Sequence, residues 1–215
     1  MLYERPVPAA VRTLRPRDRE SAATRRAILR AGRHLLAKGG EAALSIRELC
    51  TRAGVTAPTV YHHFGDKEAL VDRIVNDWFL EFDRTLAAAA PTDDPVEALR
   101  RGFERYVAYG CAQPEHYRLI FSRARRTPAG IAAYDRLRGL VQALASAGRL
   151  RGSVEGATAA CWASVHGVTS LVVAGFLAPD APAVRIARDA ILQQLVMQPA
   201  PRRRRRGTEV RHAHS

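Results

Sequence analysis

The segment from Ser45 to Leu70, SIRELCTRAGVTAPTVYHHFGDKEAL, constrains this chain most, because its caps and glycines cut it into two short helices joined by a tight turn. Ser45 with Glu48 three residues on makes a capping box, and Ile46 and Leu49 then share one face of a helix running to about Arg52. Gly54 stops that helix, since a residue without Cβ takes the left-handed conformation a sharp turn requires. Val55 is placed to fill the angle between the two helices. Thr56 restarts the chain as an N-cap, and Pro58 falls in the first turn, where a missing N–H costs nothing, so a second helix spans roughly Ala57 to His63. The unit reads as a helix-turn-helix.

On the second helix Val60 and Phe64 share the inner face, which leaves Ala57, Thr59, Tyr61 and His62 on the other side. That outer face is small, hydrogen-bonding and free of Asp and Glu from Val55 to Gly65, the composition a DNA major groove accepts. These residues resemble the TetR-type transcriptional repressors, whose recognition helix ends in a tyrosine, two polar or aromatic residues, an aromatic or aliphatic residue and a nearby lysine. Here those positions read Tyr61, His62, His63, Phe64 and Lys67. The preceding helix, Ala23 to Lys38 with Ile28, Ala31, Leu35 and Leu36 as its stripe, and the Gly39-Gly40 stop extend the resemblance to about fifty residues. The resemblance implies that Ser45 touches a phosphate and that Arg47 reaches either a phosphate or a guanine edge. It implies that Ala57, Pro58 and Thr59 face the bases, that Thr56 at the cap belongs to the DNA-binding set, and that Tyr61 and His63 clamp phosphates. His62 lies over a sugar-phosphate or is solvated. Lys67, behind the Asp66 N-cap, adds another phosphate contact with the free N–H groups of its helix. His62 and His63 are adjacent on a helix and point about a hundred degrees apart, which argues against a shared metal.

The net charge of +13 and pI near 10.8 suit a phosphate partner. Residues 21–70 carry a net +4 and residues 71–201 only +2, so the excess sits in the helix-turn-helix and the tails. The expected organisation is a basic flexible arm over 1–20, a helix-turn-helix domain over 21–68, a helical ligand-binding and dimerisation domain over 69–198, and a disordered basic tail over 199–215 containing Arg202 to Arg206. Charge runs of this kind are solvated and strengthen nonspecific, salt-sensitive DNA binding. The apolar stretch Ala157 to Ala178 is interrupted by His166, Ser and Thr and reads as a buried helix, not a membrane span. The arginine-rich first twenty residues lack the apolar core of a secretory signal, so a cytoplasmic protein is expected. Cys50, Cys111 and Cys161 have no ligand-type spacing, which favours packed thiols; a metal or redox sensor is the alternative.

Beyond Leu70 the chain shows no sustained period-two alternation, and Pro and Gly punctuate apolar-periodic runs. The fold expected is all-α with about nine helices, a three-helix DNA-binding unit in front of a larger helical domain. Trp162, His166 and Gly167, with Pro114, Tyr117, Arg118 and Phe121 upstream, resemble the Trp-His-Gly class of C-terminal domain among these regulators. In that family the last two long helices pair with a second subunit, which implies a homodimer here, helped by the small residues Ala163, Gly167, Ser170 and Ala174. Two recognition helices then face half-sites about 34–36 Å apart in a palindromic operator. A small apolar or aromatic effector, unidentified, is expected among Phe103, Tyr106, Tyr109, Phe121, Trp162 and His166, acting by differential binding to two states. No cofactor is expected. A constitutive DNA-binding protein without a ligand is the other reading. An enzyme is disfavoured, since no nucleophile elbow, HExxH helix, glycine-rich phosphate loop or carboxylate pair is present.

Overall fold

A computed structural model describes residues 15–88, 92–123 and 127–197. Among the described residues nine α-helices follow one another: α1 Pro16–Gly39, α2 Ile46–Ala53, α3 Ala57–Phe64, α4 Lys67–Ala87, α5 Pro95–Ala112, α6 Pro114–Ser122, α7 Pro128–Ser146, α8 Val154–Val173 and α9 Pro182–Leu195. A single 3₁₀ turn, Gly40–Ala43, links α1 to α2. No strand occurs among them; one antiparallel bridge, Leu150 to Val196, ties the α7–α8 connection to the end of α9.

Local chemistry sets the helix starts. Prolines open α1, α3, α5, α6, α7 and α9 in the first turn, where no intrahelical N–H partner is lost. Side chains of Ser45, Asp66, Asp94, Thr127 and Ser153 accept from the exposed N–H groups at the heads of α2, α4, α5, α7 and α8. Thr56 occupies the N-cap of α3 in extended backbone, but its hydroxyl pairs with that of Thr59 at 3.0 Å instead of capping. Gly54 adopts φ 68°, ψ 37°, the left-handed turn between α2 and α3. One expectation needs correction: α1 begins at Pro16, not near Ala23, so residues 16–20 of the supposed flexible arm are helical. Their polar run hid the helix from an apolar-period argument, although proline at its start and Asp18 in the first turn are start signals. Residues 1–14 and the basic run Arg202 to Arg206 lie outside the described residues.

The core is continuous from the helix-turn-helix into the body. Ile28, Leu35 and Leu36 of α1, Leu49 of α2 and Val60 of α3 join Leu70, Ile74, Trp78 and Phe82 of α4, and these join Tyr106, Tyr117 and Val168. The boundary expected between residues 68 and 69 therefore enters α4 at its first turn, and the next two turns pack into the helix-turn-helix. A second cluster, Leu99, Val141, Leu144, Ala157, Cys161, Leu192 and Leu195, closes the far end. Helix α8 is long and apolar enough to cross a membrane by composition, yet it packs against α5, α7 and α9 and buries Ala157, Cys161, Val165, Val168 and Val172. Its buried Thr158 and Thr169 hydroxyls donate to the carbonyls one turn back, Val154 and Val165. Gly110 of α5 meets α8 so closely that a Cβ there would lie 2.4 Å from Thr169 Cγ2.

A salt-bridge clasp fixes the body to the helix-turn-helix. Arg123, just past α6, donates from Nε and Nη2 to both Glu41 carboxylate oxygens at 2.7 Å, from Nη2 to Glu68 at 2.8 Å and from Nη1 to Asp72 at 2.5 Å. Its side chain is only 18% exposed, whereas Glu68 and Asp72 stand largely in solvent, so each of those pairs is worth about 1 kcal/mol or less. The hydrogen bond from Arg123 holds the Glu41 carboxyl below its ordinary value. A carboxyl lowered on folding stabilises the fold above its unfolded pKa and loses that contribution as pH falls through the folded one. The stability difference between wild type and Arg123→Ala should therefore be steady near neutrality and shrink below about pH 4.5, as measured by urea denaturation. Ile74→Ala should cost about 2–5 kcal/mol. Because the core is continuous, unfolding should remain one transition, with circular dichroism and tryptophan fluorescence coinciding.

A candidate nucleic-acid interface and a cavity in the body

Helix α3 is amphipathic in the sense its sequence requires. Val60 is fully buried, and Phe64 is half-buried beneath the Arg25 guanidinium, 5.0 Å from the ring centroid. Pro58, Tyr61 and His62 are exposed, while Ala57, Thr59 and His63 are half-buried along the same short helix. Ser45, Arg47 and Thr56 are exposed at the starts of α2 and α3, and Lys67 is partly exposed at the start of α4. The ten residues expected to contact DNA thus sit on three consecutive elements, α2 packing on α3 and α3 on α4. The His62 and His63 rings lie edge to face, 5.3 Å between centroids. Among the described residues, no group of three or more His, Cys, Asp or Glu is placed to hold a metal ion.

The body holds a partly open cavity of about 1150 Å³. Helix α4 supplies Phe79, Phe82 and Leu86 to its wall, α5 Leu99, Phe103 and Tyr106, α6 Ile120 and Phe121, α7 Ile131, Tyr134 and Leu137, and α8 Trp162, Val165 and His166. Of the six expected effector residues, Phe103, Tyr106, Phe121, Trp162 and His166 line it together. Tyr109 does not. It is turned towards α4, its ring 5.0 Å from that of Phe82, and its buried hydroxyl has no hydrogen-bond partner. Three residues along α5 from Tyr106, its side chain points about 60° to one side of that residue's, away from the cavity and into the core. Sequence reasoning gave Phe79, Phe82 and Tyr134 no part in the cavity; the wall they form depends on how α4 and α7 pack.

A polar centre sits inside this aromatic shell. His166 Nδ1 lies 2.7 Å from the Tyr117 hydroxyl and 3.1 Å from that of Tyr106. The Tyr117 hydroxyl also approaches the His166 carbonyl at 3.2 Å and Ser170 Oγ at 3.3 Å. Both tyrosines are buried, and desolvation pushes their phenols above the ordinary range. Burial pushes His166 the other way, favouring neutral imidazole. Its ring is flanked by Phe121 at 4.6 Å and Trp162 at 6.0 Å between centroids. The Cys161 thiol, pushed up to about 11 by burial, stays protonated at neutral pH and is a poor nucleophile. Helix α6 connects this centre outwards: Arg118 donates to the Val173 carbonyl of α8 at 2.6 Å and pairs with Glu115, and Arg123 forms the clasp on the helix-turn-helix.

Comparisons with known proteins agree with this arrangement. A family model described as "Bacterial regulatory proteins, tetR family" matches residues 28–74, and one described as "Tetracyclin repressor-like, C-terminal domain" matches residues 99–196, the stretch holding Trp162, His166 and Gly167. The HTH-type transcriptional repressor Rv3405c of Mycobacterium tuberculosis is 38% identical over 94 residues, 44% of this chain and 49% of that protein, so the chain spans about half the length of the curated relatives it matches. A solved structure of a protein of unknown function from Rhodococcus sp. RHA1 superposes with a TM-score of 0.70 at 25% identity, covering 81% of this chain and 96% of that one. SmeT, the repressor of the Stenotrophomonas maltophilia multidrug efflux pump SmeDEF, shares the fold with a TM-score of 0.64 at 24% identity over 83% of this chain and 93% of that one. The helix-turn-helix and the larger helical domain each match their counterpart in one family, in the same order along the chain. The chain belongs to the TetR family of bacterial regulatory proteins.

Proposed function

We propose that this protein is a cytoplasmic, sequence-specific DNA-binding regulator, a homodimeric repressor that leaves an approximately palindromic operator when a small apolar or aromatic molecule enters the body. The observation that carries this reading is α4, a single helix with Lys67 at its start beside the recognition helix and with Phe79, Phe82 and Leu86 in the cavity wall. A molecule that fits one position of α4 better than another shifts the DNA-binding units only through that difference in affinity. The cavity favours a ligand-responsive regulator over a constitutive DNA binder, because a chain with no effector has no use for a lined space of this size.

On α3, the bases are contacted by Pro58 and Thr59 with Ala57 and the phosphates by Tyr61 and His63, joined by Lys67 of α4 and Ser45 at the cap of α2, while Arg47 of α2 reaches a phosphate or a guanine edge. A face this poor in side-chain hydrogen bonds to bases leaves part of the selectivity to DNA shape. Dimerisation uses the outward faces of α8 and α9. Ala163, Gly167, Leu171 and Ala174 form an exposed stripe on and just past α8, Ile186 on α9 is 65% exposed, and a Cβ on Gly167 would meet nothing within 4 Å in this chain. A stripe of small and apolar residues at helical spacing lets two helix pairs close into a four-helix bundle.

The test is a fluorescence-anisotropy titration of the full chain against the DNA flanking its own coding region, at low and moderate salt with scrambled competitor. Saturable binding that survives competitor is expected; weak binding abolished by salt would discard the operator reading. Lys67→Ala and Tyr61→Ala should weaken binding to all sequences, with Lys67→Ala lowering the slope of log K against log salt by about one, whereas Thr59→Ala should mainly relax base preference. Leu171→Glu should yield a monomer in analytical ultracentrifugation and lose the operator complex, because a charge would be buried at the bundle seam.

A further inference from the structure

Within the effector-binding reading of the cavity, the side chains around His166 define the chemistry of the molecule it takes. A neutral imidazole carries one N–H, and its position follows from the partner of the other nitrogen. Tyr117 lies 2.7 Å from Nδ1, the length of an O–H donor bond and shorter than the usual N–H···O spacing. A phenol is the stronger donor and an imidazole nitrogen the stronger acceptor, so Tyr117 gives its proton to Nδ1. The neighbours supply the rest of the bookkeeping. The Tyr106 hydroxyl is buried and bonds only to Nδ1 among the described residues, at 3.1 Å, so its proton has an acceptor only if Nδ1 is bare. Two phenol hydroxyls thus converge on Nδ1 as donors, and the imidazole proton resides on Nε2.

That Nε2–H has no protein acceptor among the described residues, and it is not among the buried polar atoms left without a partner, so it is open to the cavity that His166 lines. The surrounding wall is aromatic and aliphatic: Phe79, Phe82, Phe103, Phe121 and Val165. The charged residues on the cavity wall are Asp135, Arg136, Arg138 and Glu155, all exposed, and the Arg136 guanidinium is taken by both Asp83 oxygens at 2.8 Å. A charged group carried inwards to His166 would lose its water with no opposite charge to replace it. A neutral molecule with one acceptor would gain a hydrogen bond that the empty wall lacks. We infer that the cavity selects a neutral aromatic carbonyl compound, its rings against Phe82, Phe103 and Phe121 and its oxygen accepting from His166 Nε2–H.

A matched probe series tests this by isothermal titration calorimetry on the full chain: the aromatic ketone tetralone, its parent hydrocarbon tetralin, and naphthoate as the anion of similar size. Tetralone is expected to bind roughly tenfold more tightly than tetralin, the worth of one net hydrogen bond, with naphthoate weakest. His166→Leu should erase the ketone preference while tetralin binding persists, and His166→Gln, which keeps an N–H donor, should restore part of it. Equal affinity for ketone and hydrocarbon, or tighter binding of naphthoate, overturns the inference but leaves the cavity as a binding site. No binding by any of the three removes the effector-site reading, and the inference falls with it. Because substitutions at His166 disturb a buried network, the wild-type chain carries an independent test. Long-range ¹H–¹⁵N spectra of the histidines should show His166 protonated at Nε2 and bare at Nδ1; the opposite tautomer overturns the inference without any variant.

Discussion

Two sets of apolar contacts meet on one helix, and the rest of the molecule depends on that. Leu70, Val71 and Ile74 of α4 complete the helix-turn-helix core, and Trp78 and Phe82, one and two turns later, complete the body. A helix is stiff over this length, and close-packed interiors do not deform continuously. Displacement of the cavity end of α4 is therefore felt at Lys67 with little loss along the way. The Asp66 cap, which accepts from Ala69 at 2.7 Å, keeps the first turn of α4 formed right up to the recognition helix.

Helix α6 provides a second, shorter connection of a different kind. Phe121 stands in the cavity wall, and two positions later Arg123 reaches the three carboxylates of the helix-turn-helix. The α4 connection is apolar and insensitive to salt, whereas the clasp is ionic, part-exposed and screened as salt rises. The orientation of the DNA-binding unit is thus set by two couplings with opposite responses to ionic strength, while its attachment to the body rests on the apolar one.

Much of this was legible in the sequence because it is written in local chemistry. The capping residues, the first-turn prolines and the left-handed Gly54 are properties of a few adjacent residues, and α2 and α3 lie close to where those signals put them. Helix α1 was read short because its first turns carry charge in place of an apolar stripe. Five of the six residues expected around an effector line the cavity, since aromatic residues on facing helices tend to converge. Tyr109 was misplaced because 3.6-residue periodicity fixes a face and leaves open which neighbour that face meets. The Arg123 clasp had no signature at all: Glu41, Glu68, Asp72 and Arg123 come from separate segments, and only tertiary packing brings them together. The same holds for the direction of the Tyr106, Tyr117 and His166 hydrogen bonds, which depends on distances.

The contact at Gly110 separates the parts of the body that can yield from those that cannot. With no room for even a methyl group between α5 and Thr169, these two helices meet at a close contact and act there as one girder. The girder carries His166 on one side and the Gly167 stripe on the other. Strain generated inside the cavity would have to be relieved through the lighter members of the frame, α4, α6 and α7, while the seam between two copies kept its shape. The molecule is in this respect a lever on a fixed pivot, with the pivot set by the absence of one side chain.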